Sequence, residues 1–376
     1  MNFISIIVVI FSVLAALDRI FGGRLGLSKE FERGFMLFGN MALSMIGMIV
    51  ISPFLAQLLA PAFDGFYNLF GIDPSIIPAS IFANDMGGAP LAVEVAKDSS
   101  IGMYNALIVS SMMGVTISFT VPYALGAVDK KHHREMFLGL LCGVVTVPVG
   151  CFVSGLILDL PLLSIVLNLL PIIIIAVIIA LGLVFLPDLS IKIFNILGIG
   201  MKVLITVGLT LGIIRFLTGY ELIPGLDTIE SGAAVCLNAS IVMSGAFPLI
   251  YIVSKLLKRP LGAVGRLMGI NETSAVGFIS SVATSVTTFG IMDKMDKKGV
   301  LLNSAFAVSA AFTFAGHLAF TMAFPGSDTS YIISMIAGKL ISGVSALVLA
   351  IFIYKRIYKQ SSQQESDIAV INEIKE

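Results

Sequence analysis

Apolar runs of about twenty residues, the length an α-helix needs to cross the hydrocarbon core of a bilayer, recur from one end of this chain to the other. They are centred on residues 2–20, 35–60, 101–127, 137–158, 162–186, 195–218, 231–257, 300–323 and 331–354, which predicts nine crossings. Backbone groups in hydrocarbon must be paired within the protein, so the runs read as helices and the fold class as an all-α polytopic membrane protein. Only 12% of the residues are charged and 57% are apolar, against roughly 25% and 45–50% in an ordinary globular chain. Such a chain cannot cover itself with a water-facing surface. Lys+Arg and Asp+Glu balance at 23 each, and no basic block is interleaved with aromatics, which sets nucleic acid aside as a partner. Cys142, Cys151 and Cys236 lie in apolar stretches without metal-ligand spacing and read as buried packing residues. No Walker loop, GxSxG elbow or HExxH helix occurs, so ATP hydrolysis and intramembrane proteolysis are not signalled, and neither cofactor nor metal is expected.

Two further apolar stretches, 75–97 and 263–291, are interrupted in the middle. The first contains Asn84-Asp85-Met86-Gly87-Gly88-Ala89-Pro90 and the second Asn271-Glu272-Thr273-Ser274. Each arm is too short to span, and both stretches read as re-entrant hairpins. Basic residues test that reading, because Lys and Arg collect in cytoplasmic loops. With two hairpins, the groups Arg19 to Arg33, Lys130 to Arg134, Lys192, Lys255 to Arg266, Lys294 to Lys298 and Lys355 to Lys359 all fall on one side. The opposite connections, 61–74, 159–161, 219–230 and 324–330, hold no Lys or Arg. The expected topology has the N-terminus outside and the C-terminus in the cytoplasm. The Gln/Ser/Glu-rich segment 360–376 is expected to be a disordered cytosolic tail.

The chain also repeats itself. Asn40 and Asn238, Asn105 and Asn303, and Ser111 and Ser309 are each 198 residues apart, while Asn84-Asp85 and Asn271-Glu272 are 187 apart. Residues 1–158 and 195–354 therefore read as two repeats of four helices and a hairpin, joined by the helix 162–186. A single connecting crossing makes the halves oppositely oriented. Inverted repeats with interrupted helices meeting near the midplane are an architecture of secondary transporters.

A carboxylate at membrane depth costs about 2.5–3.5 kcal/mol on insertion scales, so one kept there usually faces a cavity, a partner or a ligand. Asp85 and Glu272 are the leading candidates, expected at two hairpin turns that approach one central site from opposite sides. The alternative for both is capping of the hairpin helices. Asn40, Asn105, Asn238 and Asn303 are amides inside apolar helices that could hydrogen-bond a hydroxyl, with interhelical glue as the alternative for each. His317 is a candidate proton relay or packing residue. Glu94 with Lys97, Lys202 and Lys339 read as structural ion pairs or snorkelling ends.

The run Phe82-Ala83-Asn84-Asp85-Met86-Gly87-Gly88-Ala89-Pro90-Leu91-Ala92, with Gly269-Ile270-Asn271-Glu272-Thr273-Ser274 later, resembles the EutH family of ethanolamine permeases, and the likeness extends over residues 1–355. The resemblance implies a multi-pass protein of the bacterial cell membrane. It also implies uptake of ethanolamine in bacteria that degrade it with a cobalamin-dependent ammonia-lyase, often inside microcompartments. Ethanolamine at neutral pH is mostly an ammonium carrying a hydroxyl, which suits Asp85 or Glu272 for the cation and Asn84, Asn271, Asn105, Asn303 or Thr273 for the hydroxyl. A membrane potential negative inside favours entry of that cation by about 2.3 kcal/mol per 100 mV, so facilitated uptake requires no coupling ion. The competing expectation is a Na⁺- or H⁺-coupled symporter of another small polar solute. The expected partners are ethanolamine and the bilayer, with a homo-oligomer compatible with the chain.

Overall fold

The computed structural model describes the backbone of residues 3–375, without the side chains of Pro187, Asp188, Ile191, residues 257–264, Arg266 and residues 358–375, so the side chains of the tail expected to be disordered from residue 360 lie outside the described residues. Among the described residues the chain is helical throughout, without strands. Helices α1 (Phe3–Ile20) and α2 (Leu27–Phe70) are followed by two short helices, α3 (Ile76–Ile81) and α4 (Gly88–Val95), packed on each other through a 3₁₀ turn at Asn84–Met86. Next, α5 (Ser99–Tyr104) runs through π-helical turns at Asn105–Gly114 and Thr116–Thr120 into α6 (Val121–Ala127). Four long helices follow: α7 (His133–Ile157), α8 (Leu162–Phe185), α9 (Pro187–Thr218) and α10 (Ile229–Met268). A second short pair, α11 (Glu272–Ala283) and α12 (Ser285–Gly290), precedes α13 (Lys297–Ala310), α14 (Gly316–Ala323) and α15 (Thr329–Lys375).

Eight helical segments among the described residues are long and apolar enough to cross a membrane, and they coincide with eight of the nine expected crossings. The ninth, 300–323, is broken between α13 and α14. At the break Ala311 is extended and Phe312 adopts φ 62°, a left-handed conformation rare for a bulky side chain. The backbone N–H groups of Phe312 and Phe314 leave the helical ladder and donate to the carbonyls of Ser281 and Val282, both at 3.0 Å. Pairing with α11 is what makes an interrupted helix affordable in an apolar setting, where an orphaned backbone group costs several kcal/mol.

Lipid offers helices no hydrophobic reason to associate, so close packing and polar contacts must hold them together. Small residues supply the approach. A Cβ on Gly47 of α2 would collide with the Ile205 carbonyl of α9, and one on Gly245 of α10 would collide with the Val8 carbonyl of α1. The antiparallel pair α7 and α15 is fastened by a reciprocal contact in which Ser154 Oγ donates to the Ser334 carbonyl (3.0 Å) and Ser334 Oγ to the Ser154 carbonyl (2.9 Å). About two helix turns on, Ser342 Oγ is bonded to the Thr146 carbonyl (2.9 Å) and to Ser309 Oγ (2.7 Å).

Candidate functional site

The tip of the first short pair is an interior feature. Phe82 and Ala83 are extended, Asn84–Met86 make the 3₁₀ turn, and Gly87 takes φ 102°, a conformation that favours glycine. A Cβ on Gly87 would also strike Met48 of α2, so glycine is required twice over. Pro90, in the first turn of α4, gives up an N–H that no carbonyl in that turn needs. This geometry leaves Asp85 partly exposed beside Asn84, which is fully buried. Neither the amide oxygen nor the amide nitrogen of Asn84 is hydrogen-bonded within the protein. An unpaired buried polar group ordinarily costs about 1–3 kcal/mol, and here one side chain carries two.

Three elements close around this tip. Helix α14 packs against the turn Asn84–Met86, bringing up His317 and Thr321, both buried and each with a side-chain atom, Nδ1 and Oγ1, without a partner. Below it lies the π-helical span: Ser118 Oγ accepts from the Ala83 N–H at 3.0 Å, and Gly114 has no room for a Cβ against the Phe82 carbonyl. From α15 comes Lys339, fully buried, whose Nζ donates to the Ser111 carbonyl at 2.6 Å. Lys339 and Asp85 form no ion pair among the described residues, and any influence between them acts at longer range. From the sequence alone Lys339 reads as a structural ion pair or a snorkelling end. It cannot snorkel, because its Nζ is tied to the π-helical span in the interior. Phe312 stacks obliquely on His317 with centroids 5.2 Å apart and meets Phe119 edge-on at 5.7 Å, adding aromatic faces beside the break. Aromatic faces attract ammonium groups.

The second short pair does not mirror the first in the expected way. Its break lies at Thr284, extended at φ −162°, and not at Asn271–Ser274. Residues Asn271, Glu272 and Thr273 instead begin α11, with Asn271 and Glu272 exposed. Asn271 is the cap: its Oδ1 accepts from the Ser274 N–H (2.8 Å) and Ser274 Oγ (2.7 Å). Glu272 therefore lies at the exposed start of α11 and not at the break of its pair, the place that Asp85 holds in the first.

Asn105 and Asn303 turn out to fasten the bases of the two pairs. Asn105 Nδ2 donates to Ser75 Oγ (2.8 Å) and Asn168 Oδ1 (3.1 Å), while Asn303 Nδ2 donates to the carbonyls of Ser274 (2.8 Å) and Gly299 (2.9 Å). Asp73, 198 residues before Asn271, receives Ser75 Oγ (2.6 Å) and the N–H groups of Lys97 and Asp98 (both 2.9 Å). Asp296 receives the Asn271 N–H (2.9 Å) and Ser274 Oγ (2.8 Å). The amide nitrogens thus serve attachment between elements in both halves, while Asn105 Oδ1 and Asn303 Oδ1 are buried and without a hydrogen-bond partner. Lys97, weighed as a partner of Glu94, pairs with Asp64 at 2.5 Å.

Two adjoining cavities, of about 460 and 190 Å³, share Tyr251, Ser254, Ile279 and Ser280 between α10 and α11. Glu272 and Thr273 line the first, and the second reaches Ala283 and Thr284 at the tip of the second pair. A cleft therefore runs from the surface where Glu272 lies to the element whose carbonyls hold the break at Phe312.

Comparisons with known proteins agree on one family. A family model described as ethanolamine utilisation protein, EutH, matches residues 1–353. The chain is 40% identical over 359 residues to the probable ethanolamine permease EutH of Listeria monocytogenes, covering 96% of this chain and 95% of that protein. It is 38% identical to the protein of the same name from Salmonella typhimurium, covering 93% and 94%, and 36% identical to the uncharacterized protein YxeR of Bacillus subtilis, covering 96% and 95%. No solved structure matches. A multi-pass helical membrane protein with an interrupted, polar interior, this chain belongs to the EutH family.

Proposed function

We propose that the chain is a membrane transporter for ethanolamine, carrying the protonated amine down its electrochemical gradient through a site at the tip of the first short helix pair. The observation that carries the reading is Asn84, fully buried with both amide atoms unpaired, beside the partly exposed carboxylate of Asp85. Asp85 takes the ammonium and Asn84 both donates to and accepts from the hydroxyl, the complement of ethanolamine's two ends. Lys339 compensates Asp85 from longer range while the site is empty, and the entering ammonium takes over that role. With a cation of its own, the site needs no coupling ion. The names of the relatives from Listeria and Salmonella support the substrate class.

The inverted repeat belongs to the same reading, with residues 1–158 and 195–354 as its halves. It is supported by matched contacts at the sequence offset: α9 lies on Gly47 of α2 as α1 lies on Gly245 of α10, and Asp98 caps α5 as Asp296 caps α13. The short pairs act as re-entrant hairpins, and the cleft beside Glu272 opens to the cytoplasm, on the side where the basic loops gather. Uptake of labelled ethanolamine by the purified chain in liposomes tests the function. Accumulation driven by substrate and an inside-negative potential alone is expected. No uptake removes ethanolamine as substrate, and uptake only with a Na⁺ or H⁺ gradient replaces facilitated entry by symport.

A further inference from the structure

Helices α2 and α10 cross antiparallel, with Gly34 against the Ser244 backbone at one end of the contact and Gly232 against Ile46 at the other. Midway between these contacts, on each helix, stands an asparagine: Asn40 and Asn238. Both are exposed, and among the described residues neither side-chain amide makes a hydrogen bond. Their surroundings are apolar and equally uncovered, with Met36 and Leu43 on α2 and Leu237 and Ile241 on α10. Gly39, beside Asn40, has nothing within 4 Å of where a Cβ would stand. Helix α9 covers α2 from Gly47 onward and α1 covers α10 around Gly245, so the middle of the crossing is left open between them.

Inside apolar spans these amides face hydrocarbon, which offers them no partner, and membrane helices bring such groups together across interfaces. We propose that this strip is where a second copy of the chain docks, forming a dimer about an axis normal to the bilayer, with Asn40 and Asn238 of one copy paired to those of the other. An amide is donor and acceptor at once and so complements itself. Because both asparagines lie at the centre of the crossing, a two-fold-related copy brings all four amides to one place, and Gly39 allows the backbones to approach. A lipid tail satisfies none of these groups, and a foreign helix would need matching amides at the same depth.

The test dilutes labelled full-length chain into liposomes and counts photobleaching steps per vesicle. Wild type should be dimeric, and Asn40→Leu/Asn238→Leu should raise the density needed for half-dimerisation by about tenfold or more, with ethanolamine uptake per chain retained. In a protein otherwise unchanged, Gly39→Cys should form a disulfide-linked dimer on oxidation, which keeps the proposal testable if the leucine variant fails to fold. A monomeric wild type overturns the proposal, as does a dimer that neither cross-links at position 39 nor weakens in the double leucine variant.

Discussion

Replacing Asp85 by Asn nearly preserves its shape and removes its charge. Two separate losses follow from the structure. The ethanolamine ammonium loses its carboxylate, which for a buried charged pair costs about 2–5 kcal/mol, or roughly thirtyfold to several thousandfold in affinity at about 1.4 kcal/mol per tenfold. Lys339, fully buried, loses a negative charge that acts on it, and an uncompensated buried ion destabilises a protein by about 3–5 kcal/mol. The lower end applies here, because Lys339 Nζ keeps its bond to the Ser111 carbonyl. Asp85→Asn/Lys339→Gln should therefore recover most of the thermal stability lost in Asp85→Asn while recovering none of the binding. Calorimetric binding of ethanolamine in detergent and thermal unfolding monitored by size exclusion read the two effects independently. Wild-type affinity in well-folded Asp85→Asn would remove Asp85 from the site. Strictly additive stability losses in the double variant would show that Asp85 and Lys339 do not act as a pair.

Asn303→Ala should lower stability by about 0.5–1.5 kcal/mol per lost bond and leave ethanolamine affinity unchanged, since its amide fastens α13 to the base of α11; a binding defect without a stability defect would place it in the site after all. Glu272→Gln should alter affinity far less than Asp85→Asn, with any effect confined to uptake at low ionic strength, where a charge at the mouth of the cleft is least screened; an equal loss of affinity would place Glu272 in the site with Asp85. Asp328 caps α15, and its hydrogen bond from the Ser330 side chain, opposed by slight desolvation and aided by the Tyr331 and Ser330 N–H groups, holds its pKa below the usual carboxylate value. Its contribution, about 0.5–2 kcal/mol for a cap, is present above the unfolded pKa and lost as the pH falls through the lowered one, so Asp328→Ala should lower the melting temperature at neutral pH and match wild type in acid; a gap that persists in acid would exclude the ionised carboxylate as its source.

Hydropathy made eight spans legible because a continuous apolar helix is what hydropathy measures. It passed over the break at Phe312 because Ala310-Ala311-Phe312-Thr313-Phe314-Ala315 contains neither proline nor charge, and the bonds that stabilise the break come from α11, far away in sequence. The polar run Asn271-Glu272-Thr273-Ser274 marked the break at the N-terminal end of α11 and the chain breaks at Thr284 instead, since a helix cap and a chain break call for the same residue types. Thr284, at the real break, carries no comparable signal. The spacing of Asn105 and Asn303 was readable, but what each amide touches depends on tertiary packing. Lys339 was visible as a lone lysine in an apolar span, and only its burial against the π-helical turns distinguishes it from a snorkelling end.

Those turns bear on how the interior could rearrange. A π-helix closes its hydrogen bonds five residues back and so packs more chain into each turn than an α-helix does. Asn105–Gly114 and Thr116–Thr120 consequently hold slack inside the membrane. Rewinding a wide turn to α lengthens the span and rotates everything beyond it, including Ser118 under the first helix tip and Phe119 beside Phe312, while exchanging one ladder for another and stranding no N–H in hydrocarbon. Where most helices must kink or melt to move a side chain, this one can change its winding number.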